Sequence, residues 1–276
     1  MFEVFHLIFH PSGRYINRVV APEKRPLLVN CPIRQVRIEI EKITALQVGV
    51  EVYIDNNLLE EITKDEVKEV GRLLRERGLA CTLHAPYMDL SPGGFDNKIR
   101  TESRDKLKRA VEKARVLEAM AVVCHSGYDR WRFGDNEQPW FDASVETWSQ
   151  VLAEAGGDLP VLLENVFEET PSTLITLFDY FRGKNLHFCF DTGHFNLFTK
   201  VSLDAWLVPL KERLREFHLH DNNGKADDHL PIGSGTFPFR ELKAFLRQSP
   251  DLLYTVEPHT YATAADSIRR AKEFMA

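Results

Sequence analysis

The chain has 276 residues, 43% of them hydrophobic, which excludes intrinsic disorder and leaves ample material for a full core. Acids outnumber Lys and Arg by 41 to 35, a balance that weighs against a broad basic face for a phosphate backbone. No apolar run approaches the ~20 residues of a membrane span. The opening MFEVFHLIFHPSGRY meets His and Pro too early for a secretory signal. Cys31, Cys81, Cys124 and Cys189 form no C-x-x-C pair and read as reduced, buried thiols of a cytoplasmic protein.

Short apolar runs alternate with helical patterns along the whole chain. In order, the runs predict strands at Glu3–Phe9, Gly49–Ile54, Ala80–His84, Ala121–His125, Val161–Glu164, Phe188–Asp191, Glu216–His220 and Leu253–Glu257. Residues 10–48 are predicted as a loop or small hairpin before the first helix. A helix over Lys64–Arg77 has Thr63 as N-cap, Glu66 three residues on, and Gly78 as its stop. A second, over Ile99–Leu117, repeats Leu107, Val111, Ala114 and Leu117 at helical spacing. Pro171 suits the first turn of a third. Eight strand–helix units in one domain, residues 1–276, predict an α/β fold closed as a single (β/α)8 TIM barrel. No G-x-G-x-x-G follows a strand, so a dinucleotide site is not expected.

The chemistry gathers at the strand ends. T-L-H-A-P-Y gives His84, V-V-C-H-S-G-Y gives His125, and L-L-E-N-V gives Glu164. C-F-D-T-G-H gives Asp191 and His194, and F-H-L-H-D gives His218, His220 and Asp221. K-A-D-D-H-L-P-I-G-S-G gives Asp227, Asp228 and His229, and Y-T-V-E-P-H gives Glu257 and His259. In a barrel these ends converge on one rim, where active sites sit. A lone strand-end His is more often a satisfied polar group, and a buried Glu more often pairs with Arg or Lys. Six consecutive strands with this feature, and no flanking base at matching positions, point instead to a divalent metal: zinc, or manganese or magnesium.

These motifs resemble the xylose isomerase-like barrel superfamily, which includes sugar isomerases and epimerases and endonuclease IV-type enzymes. The resemblance runs from about the second strand to the C-terminus. In the epimerase branch it implies one ion held by Glu164, Asp191, His218 and Glu257. In the endonuclease IV branch it implies three zinc ions, with His84, His125, His194, Asp227 and His229 added. The early F-H-L-I-F-H-P-S-G departs from the endonuclease IV pattern, and the acidic I-D-N-N-L-L-E-E lacks the bases a DNA reader wants. The stretch H-L-H-D-N-N-G-K-A-D-D-H-L-P-I-G-S-G looks closer to sugar phosphate isomerases and epimerases.

Two reactions follow from these residues. Isomerisation or epimerisation of a sugar or sugar phosphate is the first expectation, with Glu164 and Glu257 removing and returning a proton beside the ion. Phosphodiester hydrolysis at abasic DNA is the alternative, with Glu164 bridging two ions and Asp191 orienting the nucleophile. The five extra donors suit hydrolysis, although His and Asp also hydrogen-bond sugar hydroxyls. Tyr87, His220, Arg130, Trp131 and His259 are the candidate substrate contacts. Asp221 is expected to orient a ligating His, and Gly233-Ser234-Gly235 offers backbone N–H groups to a phosphate.

Overall fold

A computed structural model describes residues 26–246 and 252–276. Eight parallel strands close into a barrel in sequence order. They are β1 (Leu27–Pro32), β2 (Gly49–Tyr53), β3 (Cys81–His84), β4 (Val122–His125), β5 (Val161–Glu164), β6 (Leu186–Asp191), β7 (Leu214–Leu219) and β8 (Leu253–Val256). The seam pairs Leu28 of β1 with Thr255 of β8. The predicted strand Glu3–Phe9 lies outside the described residues. The first barrel strand is instead β1, inside the stretch expected to be loop, and the helix Ile33–Leu46 follows it directly. The signal there is poor because only three apolar residues precede Asn30, and Pro32, a residue that marks strand ends, closes the run.

Local sequence accounts for the helices. Thr63 and Glu66 form the reciprocal capping box, and the helix Lys64–Glu76 ends just before Gly78 at φ 65°. In the helix Asn97–Leu117 the predicted stripe of Leu107, Val111, Ala114 and Leu117 is buried. Helices pack on the outward side chains of the strands, such as Val50, Val52, Leu83 and Phe217. Trp140, Trp148 and Trp206 lie fully buried. All four cysteines are buried and unpaired. Among the described residues no helix is long and apolar enough to cross a membrane.

Period-2 alternation sends the remaining strand side chains inward. A small apolar layer of Ala121, Val123, Leu162 and Cys189 fills part of the interior. Polar residues fill much of the rest. Thr82 Oγ1 donates to Glu51 at 3.2 Å, and Thr255 Oγ1 donates to Glu216 at 2.6 Å. One step further toward the C-terminal ends the inward positions become His84, His125, Glu164, Asp191 and His218. The strand parity that buries the core therefore also aims five chemical side chains at one place.

Candidate metal centre

Three donor groups assemble above the barrel interior. In the first, Nε2 of His84 and Nε2 of His125 lie 3.2 and 3.3 Å from Glu164 Oε2. In the second, His218 Nδ1 faces Glu164 Oε2 and Glu257 Oε1, each at 3.3 Å, and Asp191 Oδ2 at 3.8 Å. In the third, His229 Nε2 and His194 Nε2 lie 3.1 and 3.5 Å from Asp227 Oδ2. Glu164 belongs to the first two groups, and its Oε1 reaches His194 Nδ1 at 2.9 Å. All nine residues that the resemblance implies as ligands are thus gathered at one rim.

The hydrogen bonds behind these rings fix which nitrogen faces inward. A carbonyl only accepts, so a ring nitrogen against one carries the hydrogen. His84 Nδ1 donates to Ala85 O at 2.9 Å, His194 Nδ1 to Asn165 O at 3.0 Å, and His229 Nδ1 to Glu257 O at 2.6 Å. In the neutral ring each Nε2 is then a bare lone pair pointed at a carboxylate oxygen. Two acceptors face each other stably only with a cation or a proton between them. His125 Nε2 and His218 Nδ1 are buried with no hydrogen-bond partner, as is Asp227 Oδ1. For ~2.1 Å bonds in tetrahedral geometry, neighbouring ligands stand ~3.4 Å apart. The observed 3.1–3.5 Å spacings of the first and third groups match such an edge. The His and carboxylate donors, the orphaned nitrogens and the spacings together fit zinc.

Without an ion, protons take that place. Burial alone would lower the His84 pKa, but Glu164 and Glu51 push it up to about 9. Burial likewise opposes a charge on His229, yet Asp227 and Glu257 push it up to about 9. His218 and His194 are also raised against burial by the carboxylates around them. Burial would raise Glu164, but His125 and His218 hold it well below the usual carboxylate range. Raised imidazoles give stability that is complete below the unfolded pKa of ~6.5 and fades as pH rises through about 9. At pH 7 an incoming zinc ion would have to displace those protons. Titration calorimetry in two buffers of different ionisation enthalpy should therefore show more than one proton released per chain, with zinc affinity rising toward pH 9. Buffer-independent heats would contradict this.

Loop chemistry holds the groups in register. Asp191 caps the helix Thr192–Phe198 by accepting His194 N at 2.6 Å, which places His194 beside its own carboxylate. In the intervening D-T-G, a Cβ on Gly193 would stand 2.0 Å from His220 Cε1, so only glycine admits that ring. Asn165 turns away from Glu164 and pairs with both backbone polar groups of Asp191, at 3.0 and 2.9 Å. Asp221 anchors the base of the loop that carries Asp227 and His229. Its Oδ2 accepts Gly233 N and Gly235 N at 3.1 and 2.8 Å, and its Oδ1 accepts Asn222 N and Phe237 N. This corrects two expectations: among the described residues Asp221 orients no histidine, and the Gly-Ser-Gly amides are already used.

A cavity of about 890 Å³ opens over the donors. Tyr87 lines it, stacked on His125 with ring centroids 4.5 Å apart, and His259 lines it, stacked on His229 at 3.9 Å. The other expected substrate contacts are corrected. His220 is buried between Gly193 and the His229 ring, and its Nε2 hydrogen-bonds Asp191 at 2.9 Å. Arg130 and Trp131 sit on the one-turn helix Arg130–Phe133, which buries Phe133 and leaves Trp131 93% exposed. Arg130 pairs with Glu169. From that loop Arg132 lines the cavity instead.

Sequence reasoning missed Glu51, Asn30 and Glu216. Glu51 is fully buried, accepts from Asn30 Nδ2 at 3.0 Å and meets His218 Nε2 at 3.3 Å, so it holds the outer edge of that ring. Burial and the Glu51 charge push Glu216 up to about 8. The available signal was a carboxylate inside an apolar run, V-G-V-E-V-Y and L-R-E-F-H-L, at an inward position. Cys189 also faces Glu164 and His218, and burial raises its thiol well above the ordinary range.

Known proteins share this architecture. Protein MJ1311 of Methanocaldococcus jannaschii is 29% identical over 215 residues, 73% of this chain and 72% of that protein. "Probable endonuclease 4" of Mycobacterium ulcerans is 29% identical over 214 residues, 69% of this chain and 78% of that protein. The crystal structure of a D-tagatose 3-epimerase-like protein superposes with a TM-score of 0.79 at 24% identity, over 91% of this chain and 97% of that one, which shows a shared fold. The sequence profile described as "Xylose isomerase-like TIM barrel" matches residues 48–276, all of the chain from β2 onward. With the closed barrel and its C-terminal donor rim, that match shows that the chain belongs to the xylose isomerase-like TIM barrel family.

Proposed function

We propose that this protein is a zinc-dependent phosphoester hydrolase that uses three ions. One observation carries the reading: nine donors fall into three groups joined through Glu164. A one-ion isomerase uses four of them and has no need of His84, His125, His194, Asp227 and His229. The relative named an endonuclease supports a phosphoester substrate, while the epimerase-like structure bears on the fold alone.

Bound zinc would supply Lewis acidity toward a phosphoryl oxygen and a water acidic enough to attack near neutral pH. The chain's residues do the rest. Glu164 would hold the first and second groups at fixed separation, and Asp227 would draw His194 and His229 together. His220, through its hydrogen bond to Asp191, fixes that carboxylate's orientation. Arg132 would offer the phosphate its one guanidinium, and Tyr87 and His259 would flank it. In the net reaction the oxygen of water bonds to phosphorus and the P–O ester bond breaks. The leaving oxygen takes one proton, and the other passes to the phosphate or to solvent.

Elemental analysis of protein purified without chelator, combined with bis(p-nitrophenyl) phosphate assays, tests this. About three zinc ions per chain and chelator-sensitive p-nitrophenol release are expected. One ion per chain, together with solvent-deuterium exchange into ketoses, would return the assignment to isomerisation through Glu164 and Glu257.

A further inference from the structure

Resting on that hydrolase reading, we infer that the substrate is a small phosphoester whose non-reacting group is apolar and flat, not a polyanionic strand. The cavity, about 890 Å³, stands near the top of the roughly 300–1,000 Å³ typical of small-molecule sites. The donors occupy its floor and the β7–β8 side. The apolar part of the lining comes from the segments after β3 and β5 and includes Tyr87, Met88, Leu90, Ile99, Leu107 and Phe167.

That part is unusual for its exposure. Met88 is 63% exposed, Ile99 50% and Phe167 48%, with Tyr87 at 38%. Large apolar side chains are ordinarily exposed singly and scattered, and a contiguous set marks a binding surface. Here they share one concavity with the metal donors, so whatever covers them also reaches the ions. Phe167 is steadied edge-on by Phe198 at 5.0 Å, and Tyr87 is steadied by its stack on His125. Both present fixed aromatic surface to an incoming ring.

The charge of the cavity favours the smaller ligand. Duplex DNA carries a phosphate charge every ~1.7 Å of axis, and its binders set several Lys or Arg along it. Among the described residues Arg132 is the one Lys or Arg that lines this cavity, while Asp89 and Asp129 add acid beyond the metal donors. One guanidinium matches one phosphate.

The test uses zinc-loaded protein and p-nitrophenyl phosphodiesters whose second ester group is methyl, phenyl or 2-naphthyl, so that the leaving group is constant. kcat/KM is expected to rise tenfold or more from methyl to naphthyl, and Phe167→Asp or Ile99→Asp to abolish most of that rise. In parallel, calorimetry compares phenylphosphonate with methylphosphonate, the former expected to bind at least tenfold tighter. Tight phenylphosphonate binding with no ester turned over would sustain the apolar subsite and defeat the hydrolase reading. A flat ester series with clear turnover, equal binding of the two phosphonates, or faster cleavage of abasic duplex DNA than of the naphthyl ester would each overturn the inference.

Discussion

Glu164→Ala should lower zinc-dependent phosphodiester hydrolysis by about 10³-fold or more, a loss of ~4 kcal/mol in transition-state stabilisation. Among the described residues none meets more of the donors. Its Oε2 lies within 3.3 Å of His84, His125 and His218, and its Oε1 is 2.9 Å from His194 Nδ1. Removing it leaves four imidazoles buried without their shared anion, so the zinc count should fall from about three to one or none. Asp227 and His229 keep each other in the third group, which is where a remaining ion would sit. The Gln variant separates charge from shape: it fills the same space and should still lose most of the activity. Hydrolysis within tenfold of wild type in Glu164→Ala, with metal retained, would remove this residue from the centre of the site.

Stripping the metal should lower the melting temperature by at least about 10 °C. A single ion at a thousandfold excess over its dissociation constant stabilises by ~4 kcal/mol, and 1 kcal/mol moves the transition of a chain this size by ~2–4 °C. Three ions would do more, but protons return to His84 and His229 when zinc leaves and soften the loss near pH 7. The fall should therefore deepen as pH is raised from 7 toward 9, where those imidazoles give up their protons. Scanning calorimetry with and without chelator at the two pH values measures it. Equal melting temperatures throughout would mean that the donors hold no resident ion.

Much of the barrel is legible in the sequence. Strand ends at His84, His125, Glu164 and Asp191 agree with the sequence expectation to the residue. Their apolar runs are short, bounded by polar groups and followed by strong helical periodicity. The first strand was misplaced because the run at Glu3–Phe9 is longer and richer in apolar residues than Leu27–Pro32. Only pairing with β2 and β8 gives the latter its identity.

The sequence by itself determined the fold class and put nine candidate donors at or just beyond the strand ends. Strand parity and the order of units are local properties, and the C-terminal ends of barrel strands share one rim. Tertiary structure decided which partners those residues meet. Glu51 looks like any strand residue until β7, 167 positions away, brings His218 Nε2 to 3.3 Å. Asp221 looks like a partner for a ligating His, and His220 like a substrate contact, until the Gly233 and Gly235 amides and the Asp191 carboxylate claim them. Trp131 and Arg132 are adjacent in sequence, yet the burial of Phe133 turns one to solvent and leaves the other at the cavity. Hydrogen-bond and ion-pair partners depend on distances of about 3 Å between distant segments, and packing alone sets those.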